Sequence, residues 1–160
     1  MSTFSDRTLL RKSASRTRGA QRAGAHVVTL APPLNMNAYR LGAQPAYTPS
    51  KYGMTLLSLG WAQEFRQERG EASIGFSCLL PETYIATSTV ANMPDGKLTS
   101  SSRGPEIMAD AAVEILSHAP RDVNGQCFTD SAVLAESGVS DLSRYGGGDD
   151  PILDIFVDKS

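Results

Sequence analysis

Two short apolar runs flanking one long helical pattern constrain this chain more than any other feature. Ala25-His26-Val27-Val28-Thr29-Leu30-Ala31 is nearly continuous in apolar and β-branched residues, and Pro32 and Pro33 stop it. Such a run reads as a buried strand of the kind found in parallel sheets. From about Thr48 to Arg66, the residues Tyr52, Leu56, Leu59 and Phe65, with Met54, Leu57 and Trp61 on adjoining positions, predict a helix with a broad apolar surface. Pro49 is tolerated in its first turn, where the missing N–H has no intrahelical acceptor. The second run, Ser73 to Leu80, ends at Pro81 and predicts another strand. With residues 34–46 read as irregular, the order strand, loop, helix, strand is a βαβ unit. Its crossover makes the two strands parallel neighbours.

Further along, Ile107, Met108, Ala111, Ala112, Ile115 and Leu116 form one apolar stripe on a helix predicted from about Pro105 to His118. Gly104 and Pro105 mark its start, and Ala119-Pro120 its end. Gly125 to Asp130 reads as a short final strand, Ser131 to Ser137 as a helical turn, and Leu142 to Ser160 as a tail. Gly146-Gly147-Gly148, followed by Asp149-Asp150-Pro151, reads as a flexible linker.

Tyr47 and Lys51 stand four apart at the start of the long helix. Residues at that spacing share a face about one turn apart. A phenol is a poor proton-transfer group near neutrality, and an ammonium one turn away favours its phenolate. The pair therefore suits proton exchange with an alcohol or carbonyl oxygen. Ligands of open parallel sheets bind beyond the carboxyl ends of the strands, and Tyr47 falls between a strand end and a helix start.

From Ala25 to about Asp130 the chain resembles the C-terminal half of a short-chain dehydrogenase/reductase. It is most similar to the hydroxysteroid dehydrogenase-like and citronellol dehydrogenase-like members. The resemblance is carried by Leu30-Ala31-Pro32-Pro33-Leu34-Asn35-Met36-Asn37, by Ala46-Tyr47-Thr48 with Lys51-Tyr52-Gly53-Met54, and by Gly60 and Glu64-Phe65. Pro81, Thr83, Ile85 and Thr87, and the later Ile107-Met108-Ala109-Asp110-Ala111-Ala112, keep the same order and spacing. The fold so implied is α/β, the C-terminal part of a Rossmann-like doubly wound parallel sheet. The resemblance implies that Tyr47 donates and accepts the proton at the substrate oxygen. Lys51 would support Tyr47 and hold the nicotinamide ribose. Pro81, Ile85 and Thr87 would line the nicotinamide side of an NAD(P) cofactor. In the family, residues 93–103 would be a mobile lid; a plain surface loop is the other reading of that polar segment.

The chain also departs from the family. A polarising Ser usually lies about thirteen residues before the Tyr, where this chain has Leu34, and the strand-end alternative is Ala31. Asn35, Asn37 and Tyr39 are the nearby polar replacements, and Asn35 is the catalytic candidate carried forward. The glycine-rich turn that would meet a dinucleotide pyrophosphate is expected on an earlier βα unit. The residues before Ala25 contain no strand, glycine-rich turn and helix in that order. The expectation is a catalytic half, residues 25–145, preceded by a basic segment, 1–24, and followed by a tail, 146–160. NAD(P) would then bind only with the missing half supplied.

Arg7, Arg11, Lys12, Arg16, Arg18 and Arg22 are set among Ser and Thr before the first strand, with Asp6 the only acid there. A transit peptide, a basic arm and an unnatural start on a truncated gene all fit that composition. No secretory apolar core is present, so the localisation expected is cytoplasmic, or mitochondrial if the segment is a transit peptide. A formal charge of −2 gives no reason to expect a nucleic-acid partner, and no apolar stretch reaches a membrane span. Cys78 and Cys127 read as free, packed thiols, and His26 and His118 lack a ligand cluster.

Two functions follow as expectations. One is NAD(P)-dependent interconversion of an alcohol and a carbonyl, with a lipophilic small-molecule substrate. The other is an inactive fragment or interaction module that keeps the fold. An uncovered sheet edge predicts a homo-oligomer or a complementing chain.

Overall fold

The computed structural model describes residues 24–69, 74–92 and 96–158. The basic segment therefore lies outside the described residues except for Gly24, as do 93–95 of the expected lid. Three strands, β1 (Ala25–Leu30), β2 (Ile74–Leu80) and β3 (Gln126–Thr129), form one parallel sheet in the order β1-β2-β3. Between β1 and β2 run a short helix α1 (Ala38–Ala43) and the long helix α2 (Tyr47–Arg69). Between β2 and β3 come α3 (Ser88–Ala91), α4 (Gly96–Ser100), α5 (Glu106–Ser117) and α6 (Pro120–Val123), and α7 (Asp130–Glu136) follows β3. This is the α/β parallel architecture expected from the sequence.

Side-chain alternation on β2 explains why it is buried throughout. Phe76, Cys78 and Leu80 face α2, where Phe76 meets the rings of Phe65 and Trp61 at centroid distances of 5.1 and 6.0 Å. Leu79 faces the other way and joins Ile107, Ala111 and Ile115 of α5 and Val133 and Leu134 of α7 in the largest core cluster. Helices thus cover both faces of the central strand, as in a doubly wound sheet. Asn124 ties the layers together: its Oδ1 accepts from Phe76 N at 2.9 Å and its Nδ2 donates to Ala62 O at 3.0 Å. Gly75 leaves room for α6, because a Cβ there would overlap the Pro120 carbonyl.

Three expectations need correction. β1 is not buried on both faces: Val27 and Leu30 are 40% and 56% exposed. Among the described residues β1 has a neighbour on one side only, so it lacks the flanking cover that β2 enjoys. Residues 34–46 are not wholly irregular, because Asn37 caps α1 by accepting from Tyr39 N.

The third correction concerns the C-terminal segment, which is built into the domain. Tyr84 N donates to Ile152 O, Ile152 N to Ser101 O and Asp154 N to Glu82 O. Phe156 is 3% exposed and packs on Tyr52 with ring centroids 5.2 Å apart. Gly146, Gly147 and Gly148 all take positive φ and turn the chain back toward Arg103, so they form a shaped turn in place of a linker.

Candidate active site

Tyr47 is the first residue of α2 and is 45% exposed, while the next residue, Thr48, is buried. Thr48 anchors this helix start twice, through its N and its Oγ1, both donating to Gln44 O at 2.9 Å. Lys51 lies one turn on, with Nζ 5.5 Å from the centre of the Tyr47 ring. An ammonium at that range is attracted to the ring face. The spacing read from the sequence therefore becomes a contact at the open end of the sheet.

A loop, Pro81–Thr87, leaves β2. Thr83 is buried and pairs with Leu153, and Ile85 pairs with Arg103, so neighbouring backbone fixes the loop's course. Thr87 is exposed at the N-cap of α3, and its side chain makes no capping bond. Pro81 is half-buried at the strand end. Tyr84, which no sequence pattern singled out, lies within electrostatic reach of Tyr47. Burial, reinforced by the nearby Asp154 carboxylate, raises its phenol above the ordinary range, so it stays a hydrogen-bond donor near neutrality. Its position depends on the returning C-terminal segment, which offers no local sequence signal.

Asn35 has a different place from the one expected. Its Nδ2 donates to Phe156 O at 3.0 Å and to Asp158 Oδ2 at 2.8 Å, and its Oδ1 accepts from Asn37 N. Both amide hydrogens are committed, so no donor remains to polarise a substrate carbonyl. Asn35 instead holds the C-terminal segment, helped by Arg40. Arg40 donates to Asp158 Oδ1 at 3.0 Å and to Val157 O at 2.8 Å. Asn35 and then Arg40 hold the Asp158 carboxyl below its usual range. Ala31, where a polarising hydroxyl would fit the family pattern, is buried against Cys78 and Leu80.

Beneath the returning segment lies an open cavity of about 620 Å³, lined by Arg40, Glu82, Thr83, Arg103, Ile152 and Asp154 among others. Neither Tyr47 nor Lys51 lines it. Burial raises the Asp154 carboxyl above its ordinary range, against the pull of Arg40. The cavity therefore has a mixed lining. Folding brings His26 and His118 into mutual electrostatic reach. Among the described residues no group of three His, Cys, Asp or Glu could hold a metal ion. No described helix is long and apolar enough to cross a membrane.

Known proteins resemble this chain in sequence and fold. Hydroxysteroid dehydrogenase-like protein 2 of Xenopus tropicalis is 37% identical over 138 residues, spanning 85% of this chain and 32% of that protein. The human protein of the same description is 34% identical over 137 residues, covering 84% of this chain and 31% of its own length. A solved protein from Xanthomonas campestris, assigned as a dehydrogenase, superposes with a TM-score of 0.75 at 38% identity. A short-chain dehydrogenase from Mycobacterium thermoresistibile does so with a TM-score of 0.71, also at 38% identity. These two matches cover 87% and 86% of this chain, and 50% and 48% of the solved chains. The chain thus spans about a third of the curated relatives it matches and about half of the solved ones. No protein-family model matches it.

Proposed function

Since this chain belongs to the short-chain dehydrogenase/reductase family over the length it shares with those relatives, we propose that it carries the proton-transfer half of an NAD(P)-dependent alcohol–carbonyl oxidoreductase. The single observation that supports this reading most is the Tyr47–Lys51 contact, with Tyr84 of the Pro81–Thr87 loop within electrostatic reach of Tyr47.

The residues present fit one end of the cofactor. Lys51 and Tyr47 would hold the nicotinamide ribose, and Thr87, with no capping bond to its side chain, would face the nicotinamide together with Pro81 and Ile85. Among the described residues no glycine-rich turn connects a strand to a helix N-terminus, so the pyrophosphate end has no cradle in this reading. NAD(P), when bound, supplies or accepts the hydride. Tyr47 gives a proton to the carbonyl oxygen on reduction and takes one from the alcohol on oxidation. The Lys51 ammonium offsets the negative charge left on the phenol oxygen. In this reading the Pro81–Thr87 loop and the returning segment would form the wall of the site on the β2 side.

The substrate would be a lipophilic small molecule, a reading supported by Ile85 on the loop after β2. The exposed Leu56, Leu57 and Trp61 of α2 and Val113 and Leu116 of α5 support self-association or a complementing chain. The testing experiment joins this chain to the first half of a related enzyme and follows NAD(P)H absorbance with an alcohol series. Loss of turnover in Tyr47→Phe supports the proposal; full turnover in that variant refutes it. The alternative reading, a non-catalytic module, is supported by the lack of a glycine-rich strand-to-helix turn among the described residues, and it predicts no turnover in any such pairing.

A further inference from the structure

The sheet brings together two thiols that the dehydrogenase reading leaves unused. Cys78 and Cys127 are register partners on β2 and β3, so they project from the same face of the sheet. Both belong to the cluster with Ala31, Leu80 and Met54 beneath α2. Both are free. Cys78 is fully buried, whereas Cys127, on the last strand, is half-buried.

Paired strands lie about 4.8 Å apart, inside the span of about 4.4–6.8 Å that the Cα atoms of a disulfide occupy. The strand spacing therefore falls within the Cα range of a disulfide. The Cys127 thiol donates toward the Cys78 sulfur, which draws Cys78 down to about 7 against the opposing effect of burial; Ser58 adds a second, smaller hydrogen bond. The same contact, with burial, pushes Cys127 up. Such a pair shares its proton, and its first ionisation belongs to both sulfurs.

We propose that Cys78 and Cys127 form a dithiol site that small hydroperoxides oxidise to an intrachain disulfide. Cys127 is the sulfur an oxidant can reach. Once the pair has given one proton to solvent and the other has crossed from Cys127 to Cys78, the Cys127 sulfur attacks the distal peroxide oxygen. An S–O bond forms, the O–O bond breaks, and the leaving oxygen takes a proton from solvent and departs as an alcohol, or as water from hydrogen peroxide. Cys78 then attacks the Cys127 sulfur, forming the S–S bond and breaking the S–O bond. The released oxygen takes up the remaining proton and leaves as water. Two thiols and one hydroperoxide become one disulfide, one alcohol and one water, with two electrons passing from sulfur to oxygen. The buried partner makes this a resolving pair, because Cys78 stands in register where the sulfenic acid would form.

The test treats the folded full chain with hydrogen peroxide, alkylates it in denaturant, and measures intact mass and peptides. The expected product has lost two hydrogen atoms, yields one cross-linked peptide containing both cysteines, and reverts with dithiothreitol. In Cys78→Ser, Cys127 should instead hold one oxygen that dimedone traps, and Cys78→Ala serves if the serine disturbs the core. In Cys127→Ser, Cys78 should react more slowly than Cys127 does in the wild-type chain. The proposal is overturned if the wild-type chain gains oxygen on Cys127 without an intrachain cross-link. It is equally overturned if only interchain dimers form, or if both thiols stay reduced at a peroxide dose that oxidises free cysteine.

Discussion

The Tyr52 phenol clasps the backbone of Asn35 on both sides. Its hydroxyl donates to Asn35 O at 2.7 Å and accepts from Asn35 N at 2.9 Å. Tyr52 follows Lys51 directly on α2, and its ring rests on Phe156. One side chain therefore joins the start of the site helix, the loop after β1 and the C-terminal segment. Tyr52→Phe keeps the ring contact and removes both hydrogen bonds, leaving a backbone donor and acceptor half-buried. At about 0.5–1.5 kcal/mol for each bond, the variant should lose about 1–3 kcal/mol of stability. Urea unfolding monitored by circular dichroism measures it, and an unchanged midpoint would rule the clasp out as a stabilising feature.

Cofactor affinity follows from the lack, among the described residues, of a glycine-rich turn to meet the pyrophosphate. Each charge-assisted hydrogen bond not made to the pyrophosphate forgoes about 1.5–3 kcal/mol. The 160-residue chain on its own should therefore bind NADH or NADPH no tighter than millimolar. A fluorescence titration returning a micromolar dissociation constant contradicts this.

Proton transfer should depend on Tyr47 once the first half of a related enzyme is supplied. Tyr47→Phe should lower turnover by about 10²–10⁴-fold, the usual contribution of a positioned acid/base. Lys51→Met should in addition raise the apparent Kd of the cofactor, through the lost ribose contact. Steady-state kinetics with both variants separate the two effects.

Asp130 contributes a pH dependence to stability. Its Oδ1 accepts from Glu82 N at 3.1 Å and Ser131 N at 2.8 Å, its Oδ2 is buried without a partner, and burial raises its carboxyl above the ordinary range. A carboxyl raised in the folded state favours folding most when protonated. That contribution is complete below its unfolded pKa, about 3.9, and is lost as pH rises through the folded value. At neutral pH the buried carboxylate opposes folding. Asp130→Asn keeps the two accepted bonds and should raise the thermal midpoint at pH 7, with the advantage shrinking as pH falls toward 4. Melting curves across that range decide it; a lower midpoint at pH 7 would show that the charge is compensated.

Gly75 tests the packing of α6 on β2. A Cβ there would run into the Pro120 backbone, which cannot swing aside as a side-chain tip would. Gly75→Ala should cost about 1–3 kcal/mol, the usual penalty for overpacking. Denaturant unfolding would expose a milder cost as a preserved midpoint.

The sequence by itself determined the elements and one contact of the site. Period-two and period-3.6 patterns are local properties, so β1, α2, β2, α5 and β3 were legible nearly to their ends. The Tyr47–Lys51 contact was legible too, because helical geometry alone places residues four apart together. Only the tertiary structure decided that β1 has a single neighbour among the described residues, that Cys78 and Cys127 are register partners, and that Tyr84 comes within electrostatic reach of Tyr47. It also decided that Asn35 grips Phe156 and Asp158 across more than a hundred residues of chain. The glycines at 146–148 show why. As letters they carry only conformational freedom, and freedom reads equally well as a linker or as a turn. The choice was made by Ile152 finding Tyr84 and Phe156 finding Tyr52, contacts whose free energy exists only once β2 and α2 have assembled the surfaces that receive them.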